Sequence, residues 1–100
     1  MLVFDKVFRR MRGLVRASRY VMTVHAYKEM VADALTPMDI EHVITSGRVF
    51  ARQRDPHAAE WKYLVEGQTV SGEYATVVAK VATTGMVVVI AVYRCDSDEQ

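Results

Sequence analysis

The chain has 100 residues, 51% of them hydrophobic and 25% charged, with a formal net charge of +1. That is one domain's worth of chain with room for a single core, and it is too apolar to be disordered. The longest apolar run, residues 86–93, is far shorter than the ~20 residues that cross a bilayer, and the lone Cys95 allows no internal disulfide and joins no Cys/His ligand set, so a fold without metal or cofactor is expected.

The opening segment reads as a helix, with Val3, Val7, Met11 and Leu14 recurring at three- and four-residue steps and Leu2, Phe4, Phe8 and Val15 widening the stripe. Lys6, Arg9, Arg10, Arg12, Arg16 and Arg19 mostly fall elsewhere on the wheel, giving an accessory basic helix over residues 1–18. Gly13 weakens this helix by ~1 kcal/mol relative to alanine. The segment fails as a secretory signal, because Asp5, Lys6, Arg9 and Arg10 interrupt its apolar stretch and no small-residue cleavage site closes it. A cytoplasmic, non-membrane location is the expectation. The helix is expected to pack onto the domain or to mediate self-association through its apolar face.

A single domain over residues 19–94 follows. Residues 20–24 are β-branched and aromatic enough for a short strand, which delivers Thr23 as the N-cap of a second helix with Ala26, Met30 and Ala34 on its apolar face. Thr36 caps a third helix, Pro37 suits its first position, Ile40, Val43 and Ile44 form its buried stripe, and Gly47 ends it. Beyond Gly47 the period changes from 3.6 to 2, and residues 48–52, 61–66, 73–82 and 86–94 are four candidate strands. Asp55-Pro56-His57, a turn within residues 67–72, and Thr83-Thr84-Gly85 separate them, and connections this short imply antiparallel neighbours. The expected class is α+β: N-terminal helices packed on a roughly four-stranded antiparallel sheet. Residues 95–100 read as an acidic disordered tail.

Strand alternation groups Lys62 with Leu64 and Glu66, opposite Trp61, Tyr63 and Val65. It groups Tyr74, Thr76, Val78 and Lys80 opposite Ala75, Val77, Ala79 and Val81, and Val88, Ile90, Val92 and Arg94 opposite Val87, Val89, Ala91 and Tyr93. The small apolar side packs the helices, so Arg52, Lys62, Lys80 and Arg94 are expected to gather on the open face. Cations there either keep a solvent-facing sheet soluble or hold a phosphodiester and stabilise its transition state, with a tyrosine or histidine nearby for proton transfer. His25, in the first turn after its N-cap, either bonds a neighbouring backbone group or serves as a neutral base favoured by the positive helix end. His42 and His57 read as surface residues, and Cys95, lacking an identifiable base, as inert.

The run Thr23-Val24-His25-Ala26, followed by Met30, Leu35-Thr36, Asp39-Ile40, Lys62-Tyr63 to Gly67 and the closing Val88 to Tyr93, resembles the small bacterial family called domain of unknown function 4258 (DUF4258). The likeness covers about residues 20–93. Such proteins are grouped with plasmid-type toxins of the RelE, BrnT and MqsR kind, which implies a RelE/barnase-like α+β fold. It also implies an RNA-directed activity, metal-independent cleavage of messenger RNA that can act on the ribosome, and restraint by a small antitoxin protein, often of zinc-finger type. On that reading His25, Tyr63 and Tyr93 serve proton transfer, and Arg52, Lys62, Lys80 and Arg94 grip phosphates. The family commonly carries an arginine before its helix methionine and another three residues after it, whereas this chain has Glu29 and Asp33. That reversal favours the rival reading, a catalytically inactive module that binds protein or nucleic acid.

Overall fold

The structure, a computed structural model, describes residues 5–54, 56, 57 and 60–95. Leu2, Val3 and Phe4 of the expected first stripe, Asp55 of the expected turn and residues 96–100 of the expected acidic tail lie outside the described residues. The element order is α1 (Asp5–Arg16), β1 (Tyr20–Met22), α2 (Val24–Ala32), α3 (Pro37–Ser46), β2 (Arg48–Arg54), β3 (Trp61–Gln68), β4 (Tyr74–Val81) and β5 (Val87–Arg94). The α+β class stands. The sheet, however, has five strands in the order β1-β5-β4-β3-β2 and is mixed, since β1 runs parallel to β5. Short connections do make β2 to β5 an antiparallel meander. The parallel pair escapes that argument because two helices and three strands separate its members along the chain.

All three helices cover one face of the sheet. Phe8, Met11 and Val15 of α1, Ala26 and Met30 of α2, and Ile40, Val43 and Ile44 of α3 form one core with Tyr63, Val65, Ala75, Val77, Ala79, Val87, Val89 and Val92. The apolar stripe of α1 therefore faces this chain's own core. Arg12 ties α1 to the end of α3: its guanidinium lies over the Phe8 ring, Nε donates to the Ile44 carbonyl at 3.3 Å, and Nη2 donates to the Gly47 carbonyl. Those carbonyls belong to a helix C-terminus, which a cation suits.

Local chemistry sets the starts of α2 and α3 as the sequence predicts, but α2 ends at Ala32, so Ala34, expected on its apolar face, lies beyond the helix, exposed and in the left-handed region. Thr23 Oγ1 accepts from the Ala26 N–H at 3.0 Å and donates to the Ile90 carbonyl at 3.2 Å, so one hydroxyl starts α2 and pins it to β5. Thr36 and Asp39 form a reciprocal capping box at α3, with Pro37 in its first turn. Gly67 lies inside β3 rather than in a turn; the chain reverses over residues 69–73.

Two β-bulges reorder the faces. One extra residue, Phe50, lies between the pairs Val49–Val65 and Ala51–Leu64, and another, Ile90, between Ala79–Val89 and Val78–Ala91. An inserted residue flips every side chain beyond it to the opposite face. Arg52 consequently pairs with Tyr63, and Arg94 with Ala75, both on the helical side.

Among the described residues no helix is long and apolar enough to cross a membrane. The start of β1 is fastened to α3, where the Tyr20 hydroxyl donates to Glu41 Oε2. Burial, then that hydrogen bond and the Glu41 charge, push the Tyr20 pKa from 10.0 up to about 12. Because the folded value lies above the ordinary one, the stabilisation is complete below pH 10 and is lost as pH rises through about 12. Urea titrations should find Tyr20→Phe less stable than wild type at neutral pH, with the difference shrinking across that alkaline window.

Candidate functional site

The expected cationic cradle divides between the two faces. Lys62 and Lys80 are neighbours on the open face, one step beyond the Tyr63–Ala79 pair. Lys80 Nζ is held by Glu60 Oε1 at 2.7 Å, whereas Lys62 has no ion pair among the described residues. Arg52 and Arg54 sit on the helical side of the sheet end, 4.1 Å and 5.5 Å from the Trp61 ring centroid, so their guanidiniums stack rather than project into a cradle.

Arg94 is locked into a carboxylate cluster. Its Nη1 bonds Glu73, its Nη2 donates to the Asp33 carbonyl at 2.6 Å, and its backbone N–H donates to Asp33 Oδ2 at 2.9 Å. Asp39 stands near it. Burial would raise the Asp39 pKa, but the N–H groups of Thr36 and Val70, the Thr36 hydroxyl and the Arg94 charge outweigh it and hold the carboxyl below its ordinary value. Arg94 thus fastens the end of β5 to the end of α2 and to the β3–β4 turn.

The three proton-transfer candidates do not share a cleft. Tyr63 is 4% exposed and faces the helices. Tyr93 is on the open face opposite Thr76, four residues and about 13 Å along β4 from Lys80 at 3.3 Å per residue. His25 is exposed at the start of α2, its Nε2 3.2 Å from Glu29 Oε2.

Glu29 and Asp33 have a structural task that their sequence positions do not reveal. β1 pairs only with the first three residues of β5, and past that point α2 runs along the open edge. Glu29 Oε1 accepts from the Val92 N–H and Asp33 Oδ2 from the Arg94 N–H, each at 2.9 Å. Two carboxylates at i and i+4 thereby replace a missing strand, which satisfies edge donors that would otherwise be orphaned.

Nine cations have no hydrogen bond or ion pair among the described residues: Lys28, Arg48, Arg54 and Lys62 are scattered over the domain, and the other five lie on α1 and its exit turn. Lys6, Arg9, Arg10, Arg16 and Arg19 are exposed and have no such partner. At 100° per residue, the four on the helix span an arc of about 120°, with Gly13 in the middle of it. Among the described residues no three of His, Cys, Asp and Glu gather into a cluster that could hold a metal ion.

Residues 22–94 match the family described as domain of unknown function (DUF4258). The chain belongs to the DUF4258 family. The matched span contains α2, α3 and the meander but not α1, so the basic helix lies outside the part shared with DUF4258 proteins. No curated protein and no solved structure matches the chain.

Proposed function

We propose that this DUF4258 chain is a toxin-like RNA-binding domain that meets the phosphate backbone with the outward face of α1. The observation that carries the reading is the division of labour among the cations: Lys80 and Arg94 are neutralised by Glu60 and Glu73, while Lys6, Arg9, Arg10 and Arg16 form an exposed arc without acidic partners among the described residues. Relatives commonly place arginines on the helix that here carries Glu29 and Asp33; this chain supplies cations from α1 instead. The sheet covered on one face by helices agrees with a RelE/barnase-like arrangement. On this reading the domain works in the cytoplasm on messenger RNA, including ribosome-bound RNA, and a small antitoxin protein, of zinc-finger type in the related systems, covers the same basic surface.

Binding is favoured over cleavage because His25, Tyr63 and Tyr93 are dispersed. One contact supports a second reading as an endoribonuclease. Glu29, anchored on the Val92 N–H, orients the His25 ring as a carboxylate orients a general base. In that case His25 takes the proton of a ribose 2'-hydroxyl as its oxygen bonds the adjacent phosphorus, while the bond from phosphorus to the 5'-oxygen breaks and that oxygen takes a proton from solvent.

Fluorescence anisotropy with a labelled single-stranded RNA of twelve nucleotides tests the reading. Four phosphate contacts at a slope of about 0.7 each give a log–log salt slope of about −3. The double variant Arg9→Glu/Arg10→Glu should weaken binding roughly a hundredfold and flatten that slope by about 1 to 2, while Lys62→Ala changes it little. Unchanged affinity in the double variant would reject the α1 surface. Recovery of intact RNA supports binding alone, and new RNA ends that vanish in His25→Ala would establish cleavage.

A further inference from the structure

The outer side of the helical layer holds a groove of about 370 Å³ between α1 and α3, lined by Val15, Arg16, Met38, Glu41 and His42, with Val70 from the β3–β4 turn at its rim. Its size is at the small end of the range typical of small-molecule sites, about 300–1,000 Å³. Two of its polar side chains, His42 and Glu41, are held by hydrogen bonds. His42 Nδ1 lies 2.6 Å from the Gln68 carbonyl oxygen. A carbonyl can only accept, so in the neutral ring the proton is on Nδ1 and Nε2 is left as an acceptor. Glu41 is fixed through the Tyr20 hydroxyl on one carboxylate oxygen, and the other has no partner among the described residues. Arg16 is exposed and unpaired among the described residues. Met38 and Val70 are 66% and 58% exposed, two apolar side chains presented to solvent at the same groove.

We propose that this groove takes one nucleotide of a bound RNA, with the phosphate on Arg16, the base against Met38 and Val70, and the amino edge of the base on Glu41 and His42 Nε2. The inference deepens the RNA-binding reading and rests on it, since Arg16 belongs both to the groove and to the basic arc of α1. The chemistry selects among ligands. A bare phosphate uses Arg16 but is repelled by Glu41 and leaves the apolar contacts idle. An apolar ligand leaves the acceptors unmatched, which is unfavourable once they lose water. A nucleotide supplies an anion, a flat apolar face and N–H donors together. Adenine, cytosine and guanine carry an exocyclic amino group for the two acceptors, whereas uracil does not.

The test is a ¹H–¹⁵N NMR titration of the full chain with AMP, UMP and inorganic phosphate, set beside the anisotropy measurement with the RNA twelve-mer. AMP should shift the amides of Arg16, Met38 and Val70 and the ring signals of His42 saturably, and bind at least about fivefold tighter than UMP or phosphate. Met38→Ala, at an exposed position, and His42→Asn, which keeps a donor for the Gln68 carbonyl but removes Nε2, should each raise the AMP dissociation constant about fivefold with spectral dispersion unchanged. Shifts confined to residues 6–10, or equal affinities for AMP, UMP and phosphate, would overturn the proposal. RNA binding that depends on Arg9 and Arg10 without any AMP response at His42 overturns the groove and leaves the RNA reading standing. An AMP response at His42 without twelve-mer binding supports the groove and rejects that reading.

Discussion

Gly67→Ala should destabilise the fold by about 3 kcal/mol, at the upper end of what overpacking a close-packed contact costs. A methyl group there would lie 2.8 Å from the Val43 carbonyl oxygen and 2.9 Å from the Gly47 Cα. Both are backbone atoms at the end of α3, so no side chain can rotate away. Relief requires lifting α3 off β3, and that helix delivers Ile40, Val43 and Ile44, each 1% exposed or less, to the core. Gly47 faces the same contact from the other side, where a methyl group would meet the Glu66 and Val43 carbonyl oxygens at 2.4 Å. Gly13→Ala is the internal control. It lies in open space within a helix and should instead gain up to about 1 kcal/mol. Urea denaturation of the three proteins checks both signs.

Glu29→Arg should cost about 2 kcal/mol, the usual worth of a hydrogen bond to a charged group whose partner is left unsatisfied. The Val92 N–H would lose its acceptor on an edge that no strand covers. Glu29→Gln keeps an acceptor at the same reach and should retain most of the stability. Asp33→Arg should act likewise at the Arg94 N–H and would also set a second cation beside Arg94. Denaturation midpoints measure the loss, and faster hydrogen exchange at the Val92 and Arg94 amides locates it. A Glu29→Arg protein as stable as Glu29→Gln would show that α2 does not need the carboxylate to protect β5.

Much of the architecture is legible before any coordinates. Thr23, Thr36 with Asp39, Pro37 and Gly47 are local signals, because a cap bonds groups two or three residues away and needs nothing distant. The segregation of Tyr63 and Val65 from Lys62 and Leu64, and of Ala75, Val77 and Ala79 from Thr76, Val78 and Lys80, is equally local, since it follows from the pleat. The family was also visible, in motif order alone. The candidate site was read less well. Lys62 and Lys80 fall together as expected, but Arg52 and Arg94 do not join them; His42 is exposed as expected, and what periodicity does not show is that a carbonyl 26 positions away in the chain fixes its ring.

What the sequence determined by itself is the set of elements, the caps of α2 and α3 and the phase of each strand up to its first irregularity. What only the tertiary structure decided is which face the remainder of a strand presents. Phe50 and Ile90 look like their neighbours in composition, and nothing nearby marks either as the extra residue. The Ile90 bulge is held where α2 docks, through the Thr23 hydroxyl on its carbonyl and the Glu29 carboxylate on the Val92 N–H. Those contacts join residues more than sixty positions apart, so a one-residue shift in register, and with it the placement of Arg94, is decided by packing that strand periodicity cannot express.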